Sequence, residues 1–388
     1  MRFEFASASR ILFGEKTVHE APALAARMGR RALVITGGTP LRSKGFIDSL
    51  QDAGISVIPF SIAGEPTTDI VLQAAATGRS HACDLVIGIG GGSVIDGGKA
   101  IAALLTNPGE LFDYLEVIGK AQALPFPPAP YIAIPTSAGT GTEVTRNAVI
   151  ISREHKVKVS MRSEMMLPKL VVVDPELTYS MPPGVTATTG LDALTQLIEA
   201  YVSRKSNPLT DGICREGLVR AARSLKTAFE NGNDADARRD MCLASLFSGI
   251  ALANAGLGAV HGFAAPIGGR FDAPHGLVCA RLLPAVMDTN IRALNRKHPG
   301  SPALMRYDDI AGILTGDPSA SAPAGISWIQ RLCRDLRIDT LRTIGISESD
   351  IQPLVASARK ASSMKGNPIE LTEEELEAIL RSVMTPAS

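Results

Sequence analysis

Several features that mark particular classes of protein are scarce in this sequence. Aromatic residues make up only 4% of the 388 residues, and the charges cancel, with 39 basic and 39 acidic side chains. The chain has no run of basic residues and no patch that interleaves basic with aromatic residues, features typical of proteins that bind nucleic acids or anionic membranes. The composition therefore favours small molecules as partners, rather than nucleic acids or membranes.

Cysteine is also scarce, and its spacing shows no metal-binding or disulfide motif. The five cysteines are odd in number, scattered, and free of any Cys-x-x-Cys pair: Cys83, Cys214, Cys242, Cys279 and Cys333. Such cysteines are typical of buried thiols in a reducing compartment. The N-terminus lacks the apolar segment of a secretory signal. We therefore expect a cytoplasmic protein.

One uncharged run, from Cys242 to Val260, approaches the length of a membrane span. Serine, asparagine and glycine residues interrupt it, and no comparable second segment exists. The run therefore predicts a buried helix that leads to His261. The hydrophobic content of 45% is ample for two or three domains with ordinary cores.

The first half of the sequence alternates between short apolar runs and helical patterns. A strand pair is predicted within residues 1–14, and further strands are predicted at 31–36, 55–60, 84–90 and 131–134. Apolar strands separated by helices form a mostly parallel sheet that is covered on both faces. Long helical patterns without strand character follow Pro183. We predict an α/β, Rossmann-like domain over residues 1–181 and an all-α domain over residues 182–388.

Two glycine-rich segments follow predicted strands. Gly90–Ser93 precedes a helix start, where backbone N–H groups and the positive end of the helix attract an anion such as a pyrophosphate. The segment departs from the common dinucleotide fingerprint, because Ser93 stands where that motif has its last glycine. The second segment, Pro135–Glu143, is rich in hydroxyl groups. From the residues alone, each is either a binding loop or a structural turn.

A third group of residues suggests a metal site. Asp192 and Gln196 lie one turn apart on one face of a predicted helix, and His261 and His275 each stand beside a glycine. One carboxylate and two imidazoles suffice to hold a divalent metal and leave positions open for a substrate. Buried histidines are also common in ordinary cores, so the residues alone leave both interpretations open.

These segments together resemble the iron-containing (group III) alcohol dehydrogenase family over nearly the whole chain. The resemblance rests on residues 90–99, 135–145 and 190–195 and on the two His-Gly pairs. It implies a dehydroquinate synthase-like architecture and a homodimer. It also implies that the catalytic residues Asp192, His261 and His275, with Gln196, bind Fe²⁺ or Zn²⁺. The family usually has a histidine where Gln196 stands. Because an amide oxygen is a weak donor, we expect weak metal binding.

The resemblance also implies a nicotinamide cofactor, NAD or NADP. The residues implied to bind it are Gly37, Gly91, Gly92, Ser93, Asp96, Thr136, Ser137, Thr140, Asn147 and Lys158. The turn at 36–39 lacks the carboxylate that repels a 2′-phosphate, and Arg42 and Lys44 follow it, so we expect NADP to be preferred. Glu65 adds a negative charge that opposes this preference.

The implied reaction is the reversible oxidation of a small alcohol to its aldehyde or ketone by hydride transfer. Two alternatives remain. One is a polyol dehydrogenase of the glycerol dehydrogenase type, and the other is a metal-free cofactor-binding protein that has lost catalysis. The substrate is not identified, since Arg146 or Arg270 would bind an acid group whereas the other neighbouring residues are apolar.

Overall fold

The computed structural model describes residues 2–271 and 273–384. The chain divides into two compact units. The first contains residues 7–137 and 141–180. The second contains the chain from Met181 onward, a short N-terminal segment that ends at Ala6, and the loop Ala138–Thr140.

The first unit is an α/β structure. Its strands are β1 (Ile11–Phe13), β2 (Arg31–Thr36), β3 (Ser56–Ser61), β4 (Leu85–Gly90), β5 (Tyr131–Pro135), β6 (Asn147–Ser152), β7 (Val157–Arg162) and β8 (Leu170–Val173). Its helices are α1 (Ala21–Ala25), α2 (Lys44–Asp52), α3 (Thr68–Ser80), α4 (Gly92–Thr106) and α5 (Leu111–Tyr114). The strands predicted at 31–36, 55–60, 84–90 and 131–134 are all present, with ends that differ by a residue at most.

Six of the described strands form a parallel sheet in the order β1-β8-β5-β4-β2-β3. Every residue of β4, β5 and β8 is buried. Unbroken apolar strands of this kind need cover on both faces of a sheet. Along β2, Ala32 and Val34 belong to a core with α1 and α2, whereas Leu33 between them lies against Gly78 of α3. This alternation confirms the predicted covered parallel sheet.

The carboxyl ends of neighbouring strands bring the two predicted binding loops together. Gly90 at the end of β4 pairs with Pro135 at the end of β5, and the N–H of Thr136 donates to the carbonyl of Gly90 at 2.9 Å. β2 lies on the other side of β4. The chain runs outward from β2 to β3 and then returns to β4 on the other side of β2, so the order in which strands are added to the sheet reverses between β2 and β4. Open α/β sheets bind ligands at such a reversal.

The second unit is helical. Its helices are α6 (Pro183–Val202), α7 (Pro208–Glu230), α8 (Ala235–Ala255), α9 (Ala259–Phe271), α10 (His275–Lys297), α11 (Pro302–Thr315), α12 (Ala322–Asp335), α13 (Ile351–Lys360) and α14 (Glu373–Met384). No strand occurs in this unit within the residues that the structure describes. The predicted fold class, an α/β part followed by an all-α part, is confirmed.

The sequence predicts one helix for the uncharged run before His261, but the structure has two. α8 ends at Ala255, Gly256 has a φ of 67°, and α9 begins at Ala259 with its axis turned by 102°. Most of the run is buried. Among the described helices, none is by itself long and apolar enough to cross a membrane. Helices α8 and α9 taken together meet both criteria, but they are bent by 102° relative to each other.

The predicted strand pair within residues 1–14 is also wrong. Residues 2–10 form no strand, and Ile11–Phe13 pairs in parallel with β8. The N–H of Ala6 instead donates to Oδ1 of Asn254, and the amide of Asn254 donates to the carbonyl of Ala6. A side chain therefore supplies the partners that a second strand would have supplied.

Candidate metal centre and cofactor-binding loops

Helix α6 carries three polar side chains on one buried face. Asp192, Gln196 and Glu199 follow one another at intervals of four and three residues, so they lie one above the other on the helix surface. Their exposed fractions are 2%, 2% and 4%. Burial of a charged side chain is costly unless it is paired, and the two carboxylates therefore need partners in the helices packed around α6.

Helix α9 supplies the partner of Glu199. The carboxylate accepts from the backbone N–H of Val260 at 2.7 Å and from Nδ1 of His261 at 2.7 Å. The first N–H groups of a helix have no acceptor within the helix, and the carboxylate satisfies them. The contact to Nδ1 also places the proton of the neutral imidazole on that nitrogen, which leaves Nε2 available as a metal ligand. Nε2 lies 3.3 Å from Oδ1 of Asp192.

Helix α10 brings in the second histidine. His275 is the first residue of the helix, and its Nε2 lies 3.6 Å from the same Oδ1 of Asp192. The glycine beside it has a packing role, because a Cβ on Gly276 would lie 2.1 Å from the carbonyl oxygen of Thr188 in α6. Only glycine allows α10 to begin this close to α6. The side chain of His275 is 37% exposed, so the site is open to solvent on this side.

A fourth side chain in the cluster was not predicted. The Sγ atom of Cys279 lies 3.8 Å from Nε2 of His261 and 3.6 Å from Nε2 of His275. The donor atoms of Asp192, His261, His275 and Cys279 all lie within 4.8 Å of one another. One carboxylate, two imidazoles and one thiol are the donors that transition-metal sites in proteins use.

Gln196 contributes to this centre through Asp192. Its Nε2 donates to Oδ2 of Asp192 at 3.3 Å, which leaves Oδ1 facing the two histidines. Its Oε1 is buried and has no hydrogen-bond partner among the described residues. A buried amide oxygen without a partner is uncommon, and this one would fit next to a bound cation.

The electrostatics of the cluster favour a cation. Burial raises the pKa of Asp192, but His275 and His261 lower it more, so the net shift is downward and the carboxylate is ionised. For His275, burial lowers the pKa, but Cys279 and Asp192 outweigh this effect and raise the pKa to about 9. A site that holds protons this firmly has the negative potential that also attracts a divalent ion. The residues therefore fit a metal by donor type, by spacing and by charge.

The predicted cofactor residues of the first unit lie mainly at the carboxyl edge of the parallel sheet. Gly37 follows β2, Gly91–Ser93 follow β4, and Thr136 and Ser137 follow β5. The loops approach closely, since a Cβ on Gly91 would lie 3.4 Å from Oγ of Ser137. α4 starts at Gly92, so its free N–H groups face this edge. Thr140 groups with the second unit.

A buried lysine holds the next part of the site together. Lys99 is 1% exposed, and its Nζ donates to Oγ1 of Thr142 at 2.7 Å and to Oγ1 of Thr145 at 2.9 Å. It lies 3.0 Å from Oδ1 of Asp96 and also donates to the carbonyl oxygen of Asn147. Burial lowers the pKa of this lysine, although Asp96 opposes the shift. Lys99 therefore ties α4, which carries Asp96, to the loop that ends at Asn147.

Lys158, predicted to face the cofactor, has an ionic partner. It lies on β7, and its Nζ donates to Oε1 of Glu65 at 2.6 Å. The negative charge of Glu65, which opposes a preference for NADP, is thus compensated within the same unit.

Three residues at these sites were not predicted from the sequence, although a feature of the sequence pointed to each of them. Glu199 lies seven residues after Asp192, and Cys279 lies four after His275, so both share a helix face with a predicted ligand. Glu143 belongs to the hydroxyl-rich loop and is 3% exposed. Its charge was visible in the sequence, but its burial was not.

Comparison with known proteins assigns the chain to a family. The family model described as "Iron-containing alcohol dehydrogenase" matches residues 8–175. The model described as "Fe-containing alcohol dehydrogenase family, C-terminal" matches residues 186–384. The chain belongs to the iron-containing alcohol dehydrogenase family. This confirms the predicted family.

Individual relatives agree with that assignment. The 1,3-propanediol dehydrogenase of Klebsiella pneumoniae is 37% identical over 360 residues, which cover 91% of each protein. A crystal structure of a 1,3-propanediol oxidoreductase has a TM-score of 0.91 at 33% identity and covers 99% of this chain and 100% of that one. A sulfoacetaldehyde reductase from Bifidobacterium kashiwanohense, solved with NAD⁺, has a TM-score of 0.88 at 27% identity over the whole of both chains.

These relatives confirm the predicted activity class. The protein is an oxidoreductase of the alcohol dehydrogenase type. The family and the NAD⁺-bound structural neighbour support a metal and a nicotinamide cofactor.

Proposed function

We propose that the protein interconverts a small alcohol and its aldehyde or ketone by hydride transfer, with a divalent metal held by Asp192, His261 and His275 and with NAD(P) as cosubstrate. The observation that carries this proposal is the convergence of both Nε2 atoms on Oδ1 of Asp192, at 3.3 and 3.6 Å. When bound, the ion supplies Lewis acidity toward the substrate oxygen, and the nicotinamide supplies the hydride acceptor.

The residues of this chain prepare that chemistry. Glu199 keeps a proton on Nδ1 of His261, so that Nε2 is available as a ligand. Gln196 orients Asp192 by donating a hydrogen bond to its Oδ2. The amide oxygen of Gln196 has no partner among the described residues and is a further candidate metal ligand. The buried setting excludes water from the donor atoms, apart from the exposed side at His275.

The carboxyl edge of the sheet is the proposed cofactor site. N–H groups of Gly91, Gly92 and Ser93 would bind the pyrophosphate, and hydroxyl groups of Thr136, Ser137 and Thr140 would bind phosphate or ribose. Lys99 holds Asp96 and Asn147 in place through the contacts described above. We place the cofactor-binding domain at residues 1–181 and the metal-binding domain at 182–388.

We further propose that NADP is preferred over NAD. The turn after β2 has no carboxylate, and the exposed Arg42 follows it. Lys44 is a weaker candidate, since it pairs with Asp48 at 2.7 Å. Arg42→Ala should raise KM for NADP and leave KM for NAD unchanged, whereas Arg27→Ala, at another exposed arginine, should change neither. A wild-type preference for NAD would refute this proposal.

The substrate proposed is uncharged. Arg146 lies 3.1 Å from Glu164, and Arg270 lies 2.6 Å from Asp350, so both arginines that were candidates for an acid group already have an anionic partner.

Location and assembly are also proposed from specific features. All five cysteines are free thiols, which suits the cytoplasm. β1 lies at an open edge of the sheet, where a second copy of the chain offers a homodimer contact. Light scattering on the purified protein tests the dimer.

Replacement of each histidine tests the proposed function. His261→Ala and His275→Ala should lose bound metal and turnover but retain cofactor binding, because the cofactor loops are built by other residues. His298→Ala, at an exposed histidine, should retain all three. Retained turnover in either ligand variant would reject the metal mechanism.

The choice of substrates in that assay separates the alternatives. A panel of alcohols followed at the nicotinamide absorbance, together with metal analysis, distinguishes the proposed alcohol dehydrogenase from the polyol dehydrogenase and from the metal-free cofactor-binding protein. Turnover of polyols alone would favour the glycerol dehydrogenase type, and metal-free protein without turnover of any alcohol would favour lapsed catalysis.

A further inference from the structure

We propose that Cys279 is the fourth protein ligand of the metal and that the resulting donor set selects Zn²⁺ over Fe²⁺. This inference rests on the proposed function, because it takes Asp192, His261 and His275 as the other three ligands. It assigns a role to a buried thiol that neither the resemblance nor the spacing of the cysteines had suggested.

The spacing of the donor atoms fits four protein ligands around one zinc ion and leaves a fifth position for the substrate oxygen, as catalytic zinc sites allow. With bonds of about 2.0–2.2 Å to nitrogen and oxygen and about 2.3 Å to sulfur, neighbouring nitrogen or oxygen ligands at near-tetrahedral angles lie about 3.4 Å apart, and a nitrogen lies about 3.6 Å from sulfur. The two Nε2 atoms lie 3.3 and 3.6 Å from Oδ1 of Asp192. Sγ of Cys279 lies 3.8 and 3.6 Å from the same nitrogens.

The helices explain why the thiol reaches this position. His275 and Cys279 are separated by four residues at the start of α10, so both side chains project from one face of the helix. α6 uses the same spacing for Asp192 and Gln196. On α6, however, the second residue presents its N–H group to Asp192, at 3.3 Å, and so acts on the carboxylate. Cys279 of α10 thus supplies the fourth ligand in place of residue 196 of α6, while Asp192 remains a ligand.

The chemistry of the donors decides the metal. A thiolate is a soft ligand that favours Zn²⁺ over Fe²⁺ outside iron–sulfur clusters, and imidazole suits both ions. On binding, the thiol of Cys279 transfers its proton to solvent and forms the metal–sulfur bond as thiolate. An additional anionic ligand also offsets the weakness expected from a neutral amide at Gln196. We therefore expect tight metal binding in place of the weak binding expected from the sequence.

Cobalt spectroscopy tests this ligand without reference to turnover. Metal-stripped protein is titrated with Co²⁺, which reports its ligand field through visible d–d bands and reports a thiolate ligand through a charge-transfer band in the near ultraviolet. Wild type and Cys214→Ala, which removes a buried thiol outside the cluster, should show both bands. Cys279→Ser and Cys279→Ala should lose the charge-transfer band, and their Zn²⁺ affinity should fall at least about a hundredfold.

The outcomes separate failure of this inference from failure of the proposed function. Visible bands in wild type without a charge-transfer band, or an unchanged band in both Cys279 variants, would overturn the sulfur ligand and leave the metal site intact. Absence of all cobalt bands in folded wild type, or unaltered cobalt bands in His261→Ala, would overturn the metal site itself. Cys279→Ser keeps nearly the same volume, and circular dichroism and cofactor binding check that it folds.

Discussion

A single buried carboxyl group gives the loop near the cofactor site a pH-dependent stability. Burial raises the pKa of Glu143 from an ordinary 4.5 to about 7. Between these values the folded protein holds a proton that the unfolded chain has lost, so stability falls as pH rises through this window. A shift of this size corresponds to roughly 3 kcal/mol once the pH exceeds the upper value.

Glu143→Gln should remove this pH dependence, because an amide does not ionise. We expect the variant to melt at a higher temperature than wild type at about pH 8 and to differ little from it near pH 4. Thermal denaturation at both pH values measures this, with Glu154→Gln, at an exposed position, as the control. Equal destabilisation at both pH values would show that Glu143 contributes through hydrogen bonds rather than through its proton.

At the scale of residues, the sequence indicated groups that sit on one helix but not those that meet between helices. Asp192 and Gln196 were recognised by their spacing on α6, and the structure adds that Gln196 bonds to Asp192. The meeting of Glu199 with His261 depends on how α9 packs against α6. No periodicity in either segment contains that information. Cys279 is different, because the same i, i+4 rule applied from His275 would have identified it.

At the scale of elements, the break between α8 and α9 sets the position of His261. Gly256 has φ 67° and ψ −175°, a backbone conformation that is essentially restricted to glycine. The sequence predicts one helix through this glycine, because an apolar run indicates burial but not the direction of the chain. The two glycines at 256 and 258 were the available signal.

Gly256→Ala should therefore destabilise the protein and displace His261. We expect a loss of roughly 1–3 kcal/mol from the strained backbone and weaker Co²⁺ binding. Denaturant titration and cobalt absorbance measure the two effects. Gly212→Ala, at an exposed position of α7 where an added Cβ would meet nothing within 4 Å, is the matched control and should be neutral or stabilising. If Gly256→Ala were as stable as wild type, the turn would not depend on glycine.

The start of α4 offers a second test on an element. Gly92 is its first residue and follows the buried strand β4. A large side chain there should block the close approach of a pyrophosphate, so Gly92→Leu should lose cofactor affinity while it retains metal. Nucleotide binding and metal analysis measure both, with Gly212→Leu as the control. Normal cofactor binding by Gly92→Leu would mean that the pyrophosphate lies elsewhere.

At the scale of the whole molecule, the parallel sheet was predictable because its central strands are apolar throughout. The order of the strands was not, since it depends on which crossover returns past β2. The sequence also suggested two contiguous domains. The second unit instead includes two segments that precede its helices in the sequence, one ending at Ala6 and the other Ala138–Thr140. Contacts such as the one from the N–H of Gly139 to Oγ of Ser245, at 2.7 Å, cross more than a hundred residues of sequence.

We infer that this protein combines a metal centre needed for alcohol oxidation with a separately built cofactor site. The decisive experiment measures the rate of NAD(P) reduction with a panel of alcohols before chelation, after removal of the metal, and after return of Zn²⁺ or Fe²⁺, with cofactor binding followed throughout. We expect metal-free protein to bind the cofactor without turnover, and we expect the returned ion to restore the rate. Full turnover by protein shown to contain no metal would contradict it.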